Sequence, residues 1–362
     1  MKRPIAYVSA AVLISVPLAG TASAAPATAR VDDQPHYRIA AIIDDPDSGA
    51  GTVGRGINER AEVVGYSGDP VTAFQSTKKQ NFVALRGLPG EPTSGANEVN
   101  DAGVAVGSSN FNSSPEHAVR WVGHKPQALG TLEAGGFTVA TSLNESGLIV
   151  GYGSKDRLNH AFTWTEDGGI QDIGQGVAVD VNESAVVAVD GGSHAYTWTG
   201  GTLTDLGVPT GFAFSHASAI NDAGQVAGQV ITADGNSQRI ARWTPGTGWK
   251  ILGGAGQHNV ARGINSAGVV VGTGVPSSGI EVGVVYFDGF GLRALNDLLP
   301  TAEWNVLDAY DINDANEIAA TGYNSQTGDF ATLVLVPASV RRWTTKTSES
   351  PCSRPRRTDR PT

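Results

Sequence analysis

The sequence predicts an all-β protein in which seven similar units close into a ring, a seven-bladed β-propeller. Three observations predict it. An asparagine-centred motif recurs seven times, each period reads as four short strands, and the strand count closes only if the two ends of the chain share one unit. A period of 40 to 50 residues with four strands is what a propeller blade occupies.

The motif is plainest at Asn100-Asp101-Ala102-Gly103-Val104-Ala105-Val106-Gly107, and it returns at Asn144, Asn221 and Asn265 with the same Gly three and seven places along. Weaker copies begin at Asn58, Asn182 and Asn313, so successive copies lie 42, 44, 38, 39, 44 and 48 residues apart. Small and apolar residues precede the Asn, as in Ala217-Ser218-Ala219-Ile220, and a Val-rich run follows. These are strands A and B of a hairpin, with the Asn side chain bonding the backbone two residues on and the first Gly in a left-handed position.

Strand C follows as His117-Ala118-Val119-Arg120-Trp121, His160-Ala161-Phe162-Thr163-Trp164 and His194-Ala195-Tyr196-Thr197-Trp198, and, without the His, as Ile240-Ala241-Arg242-Trp243. Alternate side chains then face the two neighbouring blades, and both faces are buried by stacking. Strand D ends in Leu-Gly at Leu206-Gly207 and Leu252-Gly253.

After Asn313 a strand B (317 to 321) and a strand C (330 to 336) can be read, but no strand D. The spare strand is at the other end, where Tyr37-Arg38-Ile39-Ala40-Ala41-Ile42-Ile43 precedes the first strand A. Pairing it with 330 to 336 completes the seventh blade from both chain ends and removes exposed sheet edges.

These units resemble the HAF repeat family of extracellular bacterial proteins, labelled by the tripeptide present here as His160-Ala161-Phe162. The likeness spans about residues 37 to 337 and combines the Asn-Asp/Glu-x-Gly turn, the Val-Gly pair, the His-Ala-aromatic strand and the Leu-Gly ending. Ala61, Ala185 and Asn316 replace the turn Gly, and Ala73-Phe74, Ala241 and Gly283 lack a preceding His. The resemblance implies a secreted repeat protein and brings no catalytic residues.

The chain ends agree with export. Lys2 and Arg3 precede an apolar stretch from Ile5 to Leu18 and then Ala22-Ser23-Ala24, a signal peptide over residues 1–24. That run is too short for a membrane span and contains Pro17. Residues 25–36 read as a linker, 37–337 as the propeller, and 338–362 as a disordered basic tail. The tail suits a solvated extension, a strap to an acidic wall polymer, or the product of a reading-frame shift.

With 47 Gly, one Met and 17% charged residues, the composition suits turns and strands better than helices. Cys352 is alone, so no disulfide can form within the chain. Residues 25 to 337 hold 16 basic and 33 acidic side chains, a formal charge of −17. That charge excludes nucleic acid and anionic lipid as partners of the globular part. The expected partner is an extracellular glycan or protein, met by a monomer.

No metalloprotease, nucleophile-elbow or phosphate-loop motif is present. No cofactor is expected. A calcium ion is suggested only by Asp44-Asp45-Pro46-Asp47-Ser48-Gly49, whose spacing is not that of an EF-hand. The repeated His117, His160 and His194 read as structural hydrogen-bonding groups, and acidic residues such as Glu98 and Asp101 have no assigned role without geometry.

Function is expected on the face carrying the B to C and D to A loops, because loops on a rigid scaffold vary most. Two B to C loops are long, 108 to 116 and 230 to 238. The D to A loops carry Phe137, Phe214, His258 and Trp304, which are the ligand-face candidates. A non-catalytic binding module for a glycan, peptide or surface partner is the leading reading. A secreted propeller hydrolase or lyase with its site at the channel mouth, or an envelope role without a small ligand, are the alternatives. Converging carboxyl groups with displaced pKa values would favour an enzyme, and an aromatic groove without them a binder.

Overall fold

The computed structural model describes residues 35–46, 49, 51–77, 81–254, 258–275, 280–300 and 302–338. The signal peptide, most of the linker, the basic tail after Ala338 and Cys352 lie outside the described residues. Seven antiparallel sheets of four strands form the ring, and six of them are simple meanders in sequence order. Among the described residues no helix is long and apolar enough to cross a membrane.

The seventh sheet carries the closure. Strand β1 (Tyr37–Ile43) lies antiparallel to β28 (Phe330–Pro337), with Tyr37 opposite Pro337 and Ile43 opposite Thr332. The chain's first described strand is therefore strand D of the last blade. A hydroxyl clasp repeats this role in other blades. Ser94 Oγ, at the start of its strand A, donates to the carbonyl of Leu85 at the end of the preceding strand D and accepts from Ala73 N–H on strand C. Thr138 and Ser215 do the same, the latter taking the N–H of Ala195 and donating to Gly207. Thr52 does so across the closure, donating to Ile43 and accepting from Thr332 N–H.

The apolar core is divided into seven clusters, each shared by two adjacent blades. Ile43, Val334 and Val336 meet Ile57, Val63 and Phe74 at the closure. Val64, Ala73 and Leu85 meet Ala96, Val119 and Trp121 at the next interface. Each blade buries both faces because alternate strand C side chains pack against the neighbouring blade on either side.

A second closed circuit runs through the motif asparagines, all of which are buried. Each Asn Oδ1 accepts the N–H four residues on, at 2.8–3.0 Å, and so spans the whole A to B turn. The expected bond two residues on is made only at Asn58 and Asn182. Each Nδ2 donates to the carbonyl of the next blade's Asn, from Asn58 through Asn100, Asn144, Asn182, Asn221 and Asn265 to Asn313, and from Asn313 back to Asn58, at 2.9–3.4 Å.

The turn position three places after the Asn is left-handed throughout. Gly103, Gly147, Gly224 and Gly268 have φ between 71° and 83°, while Ala61, Ala185 and Asn316 hold φ of 57–60° with a side chain.

Four outcomes follow from this architecture. Deleting residues 25 to 44 removes Tyr37 and Ile43 from the core and uncovers the edge of β28, and should lower stability by about 4 kcal/mol or more in a denaturant titration. Asn144→Ala leaves the N–H of Leu148 without its acceptor and cuts the link to the Asn182 carbonyl, which keeps only the N–H of Ala185, a loss of about 1–3 kcal/mol by the same measurement. At the left-handed position, Gly147→Val should destabilise by about 1–2 kcal/mol, whereas Ala185→Gly should stabilise by up to about 1 kcal/mol.

Candidate functional site in the central channel

In every blade the pairing of strands A and B slips by one residue just before the Asn. The slip falls at Arg55, Asn97, Thr141 and Val179 in the first four blades. In the last three it falls at Ser218, Arg262 and Tyr310, and the seventh blade has an additional slip at Leu307. Such a bulge turns its extra residue out of the pleat and re-aims the side chain. Here all seven extra residues point into one chamber on the ring axis, of about 610 Å³.

The bulge explains the Val-Gly pair of the motif. Gly65, Gly107, Gly151, Gly228 and Gly272 face the strand just ahead of the bulge, and a side-chain carbon at any of them would sit 1.9–2.1 Å from a strand A carbonyl oxygen. In the fourth blade Val189 stands there, and Gly176, just ahead of the facing strand, leaves room for the Val189 methyl by its absent side chain.

The chamber opens on the face of the B to C and D to A loops. Phe111 and Asn112, from the long loop 108 to 116, and Glu116 reach its mouth, as do Tyr152 and Gln229 from strands B. The second long loop folds on itself instead, its Asp234 accepting from Thr232 and Asn236. Inside, the guanidinium groups of Arg55 and Arg262 lie 4.8 and 4.9 Å from the centre of the Tyr310 ring. Arg262 is paired with Asp308 at 3.2 Å.

One residue nearer the Asn, Glu98, Asp180 and Asp311 form the chamber floor with Ser142. Asp180 accepts from Ile220 N–H in the next blade, from Ser142 Oγ in the preceding one and from Val181 N–H. Asp311 likewise accepts from Ile57 N–H and Ile312 N–H, bridging the last blade to the first. Glu98 Oε1 accepts only from its own Val99 N–H. Burial raises all three carboxyl groups. Asp180 rises to about 6 and Asp311 to about 7 despite their hydrogen-bond donors. Glu98 lies well above the usual range, through burial and then the nearby Asp311.

Below the floor a second cavity, of about 270 Å³, opens among the A to B turns. A belt of carboxylates surrounds it. Asp101, Glu145, Glu183, Asp222, Asp314 and Glu59 each accept the N–H of the residue after the preceding blade's Asn. Ser266 occupies the seventh position and interrupts the belt.

The four ligand-face candidates are distributed differently. Phe214 and His258 are exposed. Phe137 is half-buried and meets Tyr152 edge-on at 6.0 Å. None of them lines the chamber. Trp304 is a correction, because it is 8% exposed and packs with Leu295, Leu298 and Leu333 between the sixth and seventh blades. It lies on strand A itself, which is nine residues long here and slips twice, so its place is the blade interface and not the D to A loop. A side-chain carbon at Gly322 would meet its ring, so that glycine makes room for it.

The strand C histidines are held by carboxylates, His160 by Asp172 and His194 by Asp205 on the neighbouring strand D, and His117 by Glu91 of the preceding loop. Among the described residues no group of three His, Cys, Asp or Glu could hold a metal ion. Asp47 and Ser48 of the suggested calcium segment lie outside the described residues, and Asp45 accepts from Ser67 Oγ.

The floor carboxyls make stability depend on pH. Their folded pKa values exceed the ordinary 3.8 of Asp, so the folded state holds protons that the unfolded chain has lost. The stability they contribute is present below about pH 4 and is lost as pH rises to about 7. Asp172, Asp234 and Asp288, lowered to about 2, act in the opposite direction and mask the trend in the wild type. Asp311→Asn isolates it. The melting temperature of the variant relative to wild type should rise by about 2 °C or more between pH 5 and pH 8, and a constant difference would contradict the assignment.

No family model matches the chain, and no curated protein matches it, so the HAF resemblance rests on the residues quoted for it. Among solved structures the chain is similar to a virginiamycin B lyase from Staphylococcus aureus, with a TM-score of 0.55 and 10% identity over 83% of this chain and 99% of that one. It is similar to a streptogramin B lyase structure at a TM-score of 0.56 and 11% identity, over 83% of this chain and 98% of that one. At these identities the likeness shows the fold, and the chain is a seven-bladed β-propeller.

Proposed function

We propose that this is a secreted binding module of HAF-repeat type that takes the end of an extracellular glycan into its axial chamber. The observation that carries the reading is the set of seven bulges. Every blade spends an irregularity to turn one side chain inward, and the seven differ in chemistry, so what they share is a place and not a packing role. The volume, about 610 Å³, is that of a small-ligand site. Its lining mixes amide and hydroxyl groups (Asn97, Thr141, Ser218, Gln229) with the rings of Tyr152 and Tyr310, which suits the hydroxyls and flat faces of a sugar. Exposed Phe214 and His258 offer contacts for a longer chain leaving the mouth.

A hydrolase or lyase is the second reading, and Glu98 favours it. Asp180 and Asp311 are committed to joining blades, whereas Glu98 bonds only its own backbone, and burial raises it well above the usual carboxyl range. That is the state a general acid needs. The solved lyase structures share the fold, and their reaction supplies no assignment for this chain.

A glycan array on the purified protein, followed by titration of the best ligand, tests the proposal. Tyr310→Ala and Asn97→Ala should each weaken binding by about tenfold or more, against a smaller effect of Phe214→Ala. Unchanged binding in both chamber variants would move the site elsewhere. Product formation from a bound glycan that Glu98→Gln abolishes while binding persists would replace the module by the enzyme.

A further inference from the structure

We infer that Arg55 forms a carboxylate subsite, so that the sugar taken into the chamber is a uronic acid. The inference rests on the glycan reading above and sharpens it. Arg55, Tyr310 and Arg262 are the bulge residues of the first, seventh and sixth blades, adjacent around the ring. Both guanidinium groups pack on the one tyrosine. Their charges are not balanced alike. Arg262 has Asp308 at 3.2 Å. The guanidinium of Arg55 makes no ion pair among the described residues, its buried Nε has no hydrogen-bond partner, and its contacts are the rings of Tyr310 and, at 5.4 Å, Tyr66.

A half-buried guanidinium stacked between tyrosines has already lost part of its hydration. It presents a planar fork of donors that a carboxylate matches. Tyr66 and Tyr310 hold the fork in place, which reduces the ordering cost of binding. The neighbouring acid does not oppose an incoming anion. Glu98 lies over Gly56, the residue after Arg55, and a side-chain carbon at Gly56 would meet its Oε1. Burial and the nearby Asp311 raise the Glu98 carboxyl well above its usual range, which favours its uncharged form at this end of the chamber. A uronate suits this arrangement because its carboxylate is fixed to a ring rich in hydroxyls, for which Asn97 lines the chamber on the adjacent blade and Ser218 on the far side.

The test titrates the full chain at pH 6 with galacturonic acid, its methyl ester and galactose, by calorimetry or ligand-observed NMR. The wild type should prefer the free acid over the ester by about tenfold or more. Arg55→Gln should bring that ratio close to one, Arg55→Lys should leave it intermediate, and Arg293→Gln, on an outer strand, should not change it. Melting temperatures report whether each variant is folded. Equal binding of acid and ester by the wild type, or an unchanged ratio in folded Arg55→Gln, overturns the subsite and leaves the glycan module standing. Binding of none of the three sugars, with a preference for N-acetyl-dialanine over its amide, overturns both.

Discussion

The structure depends on the circuit of seven asparagine side chains. Each Asn closes its own turn with Oδ1 and holds the next blade's turn with Nδ2, so one residue type fixes local conformation and the spacing between blades together. The circuit has no end, because Asn313 returns to Asn58 across 255 residues. A β-strand in this position would bring exposed edges; the amide side chain uses its oxygen on its own turn and an N–H on the next blade. The apolar interfaces then have to supply cohesion only between neighbours, and the core is divided into seven small clusters instead of one.

That division frees the axis. Because no apolar residue has to fill the centre, the inner strands can carry Arg, Asn, Thr, Val, Ser, Arg and Tyr at the same structural position. A change at one of them alters the chamber without breaking an interface. Stability is located in the Asn turns, the hydroxyl clasps and the clusters between blades, and variability in the bulge residues that the same backbone turns inward.

The fold was legible because repetition turns weak local signals into a count. Asn at a regular period, Gly at the left-handed position and a spare strand at Tyr37–Ile43 were each readable in the sequence, and the closing pairing with Phe330–Pro337 follows from arithmetic on strands. The site was less legible. Alternation assigns strand A side chains to blade faces, and a bulge changes which residue points to the axis without changing the sequence's polarity pattern. The signal was present in the second glycine of the motif. Gly107 and Gly151 have no room for a side chain because the facing strand swells toward them, and this marks the bulge that turns in Asn97 and Thr141. Trp304 failed for the related reason that two slips in one strand shift its numbering relative to the other blades. Glu98 was visible as an acid, but only the ring brings it together with Asp180 and Asp311, from blades whose sequences are far apart.

The floor shows how neighbouring blades compensate for one another. An acid at the position two before the Asn can bridge forward only if the corresponding residue of the next blade is small enough to be crossed. Asp311 reaches Ile57 N–H past Gly56, and Asp180 reaches Ile220 N–H past Ala219. Glu98 is followed by Ser142, whose hydroxyl is already turned to Asp180, and Glu98 makes no forward bridge. Its carboxyl leans back over Gly56, as that of Asp311 does over Gly263. Two of the three acids are therefore fixed because the neighbouring blade offers only Gly56 or the methyl of Ala219 in their path. The third is left facing the chamber beside Arg55, the one guanidinium in its wall without a carboxylate of its own.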